Sequence, residues 1–314
     1  MHLIALLKEY AQTPSTTVPD WMIGCFKRHC ITFANGLSDM HTRVFWLQGR
    51  NLTIDLRLPL IEDQVRQPFH DCQPTQLQQL ANYEGWSADS HWQDDQLSWS
   101  GGTSFQLHNR WPEPAILHRV GNCMMEFAPS GAYVEDWRFQ ENQNGPLISL
   151  RLLEERDLHS GELRHLDGAL IITGNWAGLV LGRAKHSFEL APDQQLRDLV
   201  KDYADQSHAL DALFNFETSI AHGSLEQGFV IRHSNRFERT DEQLCPMDGF
   251  EFDATNNQII QTLTSGNTQI QRRFTIDTLE PEFRFCHDSP WTGKAADWFN
   301  HEKVTLGRYL KQIN

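Results

Sequence analysis

Positive charge is in short supply in this sequence. Lys and Arg number 27 against 41 Asp and Glu, a formal net charge of −14 over 314 residues. Phosphate backbones and anionic lipid surfaces are recognised by basic faces, so this balance argues against a nucleic-acid partner and against a membrane surface. Long apolar runs are missing too. No stretch of about 18 or more apolar residues occurs, which predicts no membrane-spanning helix. The opening MHLIALLKEYAQTP has no basic start, and Lys8 and Glu9 follow a short apolar run. It reads as an amphipathic helix through Leu3, Leu6 and Leu7 rather than a signal peptide. The six cysteines (Cys25, Cys30, Cys72, Cys123, Cys245 and Cys286) are scattered and form no Cys-x-x-Cys pair. Reduced thiols in a cytoplasmic protein are expected.

Several catalytic signatures are absent as well. There is no His-Glu-x-x-His, no Gly-x-Ser-x-Gly, and no Gly-rich loop between a strand and a helix. Fifteen histidines are present, but His208, His222 and His233 follow no ligand spacing, and Cys25, His29 and Cys30 cannot complete a zinc site alone. No metal and no cofactor are implied.

What is present is a succession of short strand-like runs broken by Gly, Asn, Pro and Asp. Strands are predicted near 24–33, 42–48, 52–58, 96–99, 102–107, 116–127 and 132–139. Hairpin loops are placed at Ser100–Gly102 and Pro129–Gly131. One helix interrupts them, opening at Pro74 with Leu77, Leu80 and Ala81 on one side. The second half repeats the plan, with strands near 147–153, 168–174 and 177–184. A helix follows, started by Pro192 and Asp193 and striped by Leu196, Leu199, Val200 and Tyr203. Strands near 211–219, 227–237, 257–264 and 268–276 complete it, with Ser265–Asn267 as a hairpin loop. Short loops between strands predict antiparallel sheets, not βαβ units. The expectation is a mainly β protein: a lead-in over 1–18, one antiparallel β-barrel over 19–143 and a second over 144–314, each with one or two short helices. One larger barrel with insertions is the rival.

Residues 42–59, TRVFWLQGRNLTIDLRLP, form the most informative stretch. With Gly49–Arg50 as a two-residue type II′ turn, Leu47 faces Leu52, Phe45 faces Ile54, and Arg43 lies near Leu56. Val44, Trp46, Gln48, Asp55 and Arg57 then share the other face. In a closed barrel that face lines the interior; in an open sheet it meets water. Residues 122–140 have the same character, with Glu126, Glu135, Asp136 and Arg138 alternating with Met124, Met125, Tyr133 and Trp137. Apolar walls with a few placed polar groups describe most small-molecule pockets. The candidate ligand-binding set is therefore Arg43, Trp46, Asp55, Arg57, Glu126, Glu135, Trp137 and Arg138. The competing reading makes these charges solvated outer faces whose ion pairs contribute little.

The stretches CFKRHCITFANGLSDMHTRVFWLQGRNLTIDLRLP, SGGTSFQLH and GAYVEDWR resemble a family of uncharacterised bacterial proteins. These are related to fungal casein-kinase-interacting proteins built from two lipocalin-like (calycin-like) barrels. The resemblance covers roughly residues 24–140, and extends to the second half only by topology. Where the related sequences lead into the Trp-Leu-Gln strand with an acidic-Thr-Thr-Thr-Arg run, this chain has Asp39-Met40-His41-Thr42-Arg43. It implies fold and brings no established catalytic residue.

Three functions follow as expectations. The first is binding of a small apolar or amphipathic molecule in a cavity on the Trp46 face. The second is a cofactor-free lyase, isomerase or hydrolase with a carboxylate and an arginine at a barrel mouth. The third is a scaffold for a protein partner, with filled barrels and an exposed apolar patch around Trp86, Trp92 and Trp111.

Overall fold

The computed structural model describes residues 1–108, 111–184, 188, 191, 194–266, 268–289 and 292–310. After α1 (Leu3–Glu9), the first unit runs through β1 (Gly24–Phe33), β2 (Ser38–Asp39), β3 (Arg43–Gln48) and β4 (Leu52–Leu58) to α2 (Pro74–Leu80). It continues with β5 (Glu84–Gln93), β6 (Gln96–Ser104), β7 (Ala115–Val120), β8 (Cys123–Phe127) and β9 (Tyr133–Phe139). The second unit comprises β10 (Gly145–Asp157), β11 (Leu163–Thr173) and β12 (Trp176–Arg183), then α3 (Leu196–Asp202) and α4 (Ser207–Phe214). Strands β13 (Glu217–Ser224), β14 (Gly228–Ser234), β15 (Phe250–Asp253), β16 (Gln258–Ser265) and β17 (Thr268–Phe283) follow, then α5 (Gly293–Leu306). No helix among the described residues is long and apolar enough to cross a membrane.

The first sheet closes. Its strands pair in the order β1-β3-β4-β5-β6-β7-β8-β9, and β9 returns to β1, giving an eight-stranded antiparallel barrel with β2 as an extra arm on β1. The second sheet has the order β14-β13-β12-β11-β10-β17-β16-β15. As in the barrel, the strands that begin and end this unit in the chain, β10 and β17, pair with each other, yet the sheet stays open between β14 and β15. A second closed barrel, expected from the sequence, is not what the hydrogen bonding gives. The plan of three long strands, a helical segment and five strands does occur twice.

The two units share an apolar layer. Phe45, Leu47, Ile54 and Leu56 on the outside of the barrel pack with Ala169, Ile171, Val180 and Ile220 of the second sheet. Helices α2, α3 and α4 join the same layer through Leu77, Leu80, Leu196, Leu199, Val200 and Leu213. The opposite face of the second sheet holds its own core, into which α1 inserts Leu3, Leu6 and Leu7.

Several local expectations are corrected. In the hairpin β3–β4, Leu47 pairs with Ile54 and Phe45 with Leu56, and the turn is Arg50–Asn51, two residues out of the expected register. A two-residue shift preserves which side chains share a face, so the partition of the hairpin stands. Gly49 owes its identity to the inter-unit contact. A Cβ there would lie 3.3 Å from Ser149 Cβ and closer still to its Oγ. Gly85 likewise leaves no room against Thr218. Ser100–Gly102 is not a loop but part of β6, and the hairpin turn lies at Asp94–Asp95, both with positive φ. Gly102 (φ 72°) sits where the strand register shifts and where a Cβ would collide with the Ser87 carbonyl. β5 and β15 went unread, and residues 211–214, expected to open a strand over 211–219, instead close α4, with β13 starting only at Glu217. Pro192, Asp193 and Asn267 lie outside the described residues. Within them, α3 is opened by the Asp198 carboxylate, which accepts the Gln195 backbone N–H at 2.9 Å.

Candidate functional site: the lumen of the closed barrel

Alternation along each strand sends every second side chain inward. At one end of the barrel the lumen is filled. Phe26, Leu97 and Met124 form an apolar floor, with Phe26 packed on Trp46 and Phe139 at ring-centroid distances of 5.5 and 5.2 Å. Trp46 is fixed there by its indole N–H, which donates to Thr53 Oγ1 at 2.6 Å and to Gln48 Oε1 at 3.2 Å. Ser90 Oγ also donates to Gln48 Oε1, at 3.1 Å. These buried polar groups are thus satisfied among themselves.

Toward the other end the lumen is hollow. A cavity of about 390 Å³ is bordered by Trp46, Trp86, Trp99, Trp111, Trp137 and Tyr133 and by a set of charged side chains. Trp86, Trp99 and Trp111 meet at centroid distances of 5.0 to 6.4 Å and wall one side of the mouth. The patch around Trp86, Trp92 and Trp111 expected on the surface is therefore divided. Trp86 and Trp111 border the lumen, whereas Trp92 packs edge-on against Trp21.

The charged residues form two clamps and a remainder. The Arg28 guanidinium donates to Glu135 Oε1 at 2.7 Å and to Asp39 Oδ2 at 2.8 Å. The Arg57 Nε donates to Asp55 Oδ1 at 2.8 Å, with Glu84 3.7 Å away. Burial pushes the Arg57 guanidinium down, but the carboxylates of Asp55, Glu84 and Glu135 outweigh it and hold its pKa above the usual value. Asp55 is raised, because burial outweighs the pull of Arg57. Glu126, only 5% exposed, has no guanidinium of the described residues in contact. Its carboxyl accepts the Tyr133 hydroxyl at 3.2 Å and the Trp137 indole N–H at 3.0 Å. It also stands directly across the β8–β9 ladder from Glu135. Burial first and the Glu135 charge second push its pKa up to about 8, against the opposing influence of Arg57 and the two donors.

Of the eight residues expected to bind a ligand, Trp46, Asp55, Arg57, Glu126, Glu135 and Trp137 border this one cavity. Arg43 and Arg138 do not. Arg43 has the parity of Phe45 and points outward to His233, 3.1 Å from its Nδ1. Burial, aided by Arg43, Lys27 and Arg232, pushes that imidazole down to about 3. Arg138 lies on the outside of β9, where its 46% exposed side chain pairs with Asp136. The sequence reading missed Arg28, Trp99 and Tyr133. Arg28 lies in the segment weighed only for its cysteines and histidine. Its inward parity shows once a bulge is placed between Arg28 and Cys30.

Among the described residues, no group of three or more His, Cys, Asp or Glu is arranged to hold a metal ion. Arg28 and Arg57 also border a second hollow of about 490 Å³ outside the mouth, next to Thr42, Asn82 and Glu84. No family model, curated protein or solved structure matches this chain.

Proposed function

We propose that this protein binds a small amphipathic molecule in the lumen of its closed barrel, in the manner of a lipocalin-like (calycin-like) protein. One observation carries the reading: an eight-stranded barrel packed at one end and hollow at the other, with an apolar floor, tryptophan walls and a charged mouth. Eight-stranded barrels are wide enough to hold one small ligand when side chains leave room. The cavity volume falls in the range of small-molecule sites, about 300–1,000 Å³. The stretches resembling the uncharacterised bacterial family include Cys25–Pro59, which spans the strands that carry Trp46, Asp55 and Arg57. Membership in that family is part of the same proposal.

A second reading rests on Glu126. A buried carboxyl poised near neutral pH, within the field of Glu135 and Arg57, suits a general acid–base in a cofactor-free lyase, isomerase or hydrolase. Binding stands first because the two groups beside Glu126 are both engaged, the Glu135 carboxylate by Arg28 and the Tyr133 hydroxyl by Glu126 itself. A scaffold with filled barrels is disfavoured by the cavity itself.

Titration with the neutral amphipathic fluorophore N-phenyl-1-naphthylamine tests the binding reading. Saturable binding of one probe per chain is expected, with quenching of tryptophan emission. Trp99→Ala should weaken it, and Trp298→Ala, on exposed α5, should not. The absence of saturable binding, or equal effects of the two substitutions, would count against the lumen as a ligand site.

A further inference from the structure

We propose that the lumen selects an organic cation, an amine or quaternary ammonium on a compact apolar or aromatic body. Glu126 is its counter-charge and the tryptophan walls are its cation–π surface. The inference rests on the lumen being a ligand site and narrows the chemistry of what enters it.

The balance of charge inside the cavity carries the argument. Among the described residues two guanidiniums, Arg28 and Arg57, border it, against the five carboxyls of Asp39, Asp55, Glu113, Glu126 and Glu135. Both guanidiniums are already engaged. Arg28 bridges Glu135 and Asp39, and Arg57 is held by Asp55 with Glu84 behind it. An anion reaching Arg28 would have to displace the buried Glu135, and one approaching Arg57, which gives only its Nε to Asp55, would meet the surrounding carboxylates of Asp55, Glu84 and Glu135. A cation has no such obstacle. Glu126 is buried, borders the cavity and, among the described residues, has only neutral donors, Tyr133 and Trp137, on its oxygens. Glu113 at the rim holds only Ser130. Trp86, Trp99, Trp111 and Trp137 line the same space, and indole faces attract cations most strongly where water is excluded.

The groups facing Glu126 set how binding depends on pH. They are Glu135 and Tyr133 on β9, Asp55 and Arg57 on β4, Arg28 on β1, Asp39 on β2 and Glu113 before β7. Empty, the site keeps Glu126 protonated up to about pH 8. A cation must expel that proton to form the ion pair. Its apparent affinity should therefore rise about tenfold per pH unit below that point and level off above it. A neutral ligand of the same shape should show no such slope.

Benzyltrimethylammonium, its carbon isostere neopentylbenzene and benzoate provide the test, read by tryptophan quenching between about pH 5 and pH 9. The cation should bind on the order of thirtyfold more tightly than neopentylbenzene near pH 8. That preference should shrink as the pH falls. Glu126→Gln should bring the two to within a few fold of each other. The wild-type comparison needs no variant, so a poorly folding Glu126→Gln would not obscure it. Equal or weaker binding of the cation, or a preference for benzoate, overturns the inference. If N-phenyl-1-naphthylamine still saturates the lumen in that case, the binding reading survives without it. If no probe binds, both fall.

Discussion

Glu126 and Glu135 face one another across adjacent strands, an arrangement that costs stability when both are ionised. The chain resolves it by giving Glu135 to Arg28 and burying Glu126 among aromatic donors, where the proton is held to about pH 8. Folded Glu126 therefore binds its proton more tightly than the unfolded chain does. The stability it contributes is present below the unfolded carboxyl pKa and is lost as pH rises toward about 8. Urea unfolding between about pH 5 and pH 8 should show stability falling by up to about 1.4 kcal/mol per pH unit from this group. Asp55, also raised by burial, acts on stability with the same sign. Glu126→Gln should flatten the slope, and an unchanged slope in that variant would sink the assignment. Arg28 and Arg138 make the opposite comparison. Arg28→Ala strands Glu135, whose side chain is 5% exposed, and should cost about 3–5 kcal/mol. Arg138→Ala removes an outer ion pair and should cost about 0–1 kcal/mol. Similar losses from the two, measured by urea unfolding, would contradict their placement inside and outside the barrel.

The hairpin β3–β4 carries two surfaces at once, one into the lumen and one into the inter-unit layer. Gly49 lies at its tip against Ser149 of β10. Gly49→Ala should destabilise by about 1–3 kcal/mol through overpacking, and Ser149→Ala should recover much of that loss in a double-mutant cycle. Additive losses would show that the contact is not what excludes a side chain at position 49. This element also marks what was legible in the sequence. The partition of Trp46, Asp55 and Arg57 from Leu52, Ile54 and Leu56 follows from a period of two and survives a register error of two residues. The turn did not, because Gly49 reads as a turn glycine when its cause is a neighbour more than ninety residues away. β5 was hidden because Glu84–Gln93 mixes Trp86, Ser87, Ala88 and Ser90 without a clean alternation, and its register shifts between Ser87 and Asp89. The end of α4 read as the start of a strand because Leu213 and Phe214 fit an apolar run of either kind. Arg28 was illegible for lack of the bulge, and the lumen role of Trp99 and Trp111 depends on strand pairings that composition does not encode.

Across the whole molecule, the layer between the units is continuous from Phe45 and Ile54 to Ile171 and Ile220, and α2 packs against α3 beside it. An apolar interface of this kind ties two units into one cooperative body, unlike the polar interfaces of independently moving domains. Calorimetry should accordingly record one unfolding transition; two well-separated transitions would show that the units are energetically independent. The same arrangement buries the outer face of β3 and β4, and the described residues that border the mouth, its tryptophans and carboxyls included, all belong to the first unit. The most direct test of the central claim is the mass of the chain purified gently from its own cells, compared under native and denaturing conditions. A discrete excess mass that denaturation releases, diminished in Trp99→Ala, is the predicted result. A bare chain, or a bound mass indifferent to that substitution, would contradict a ligand in the lumen.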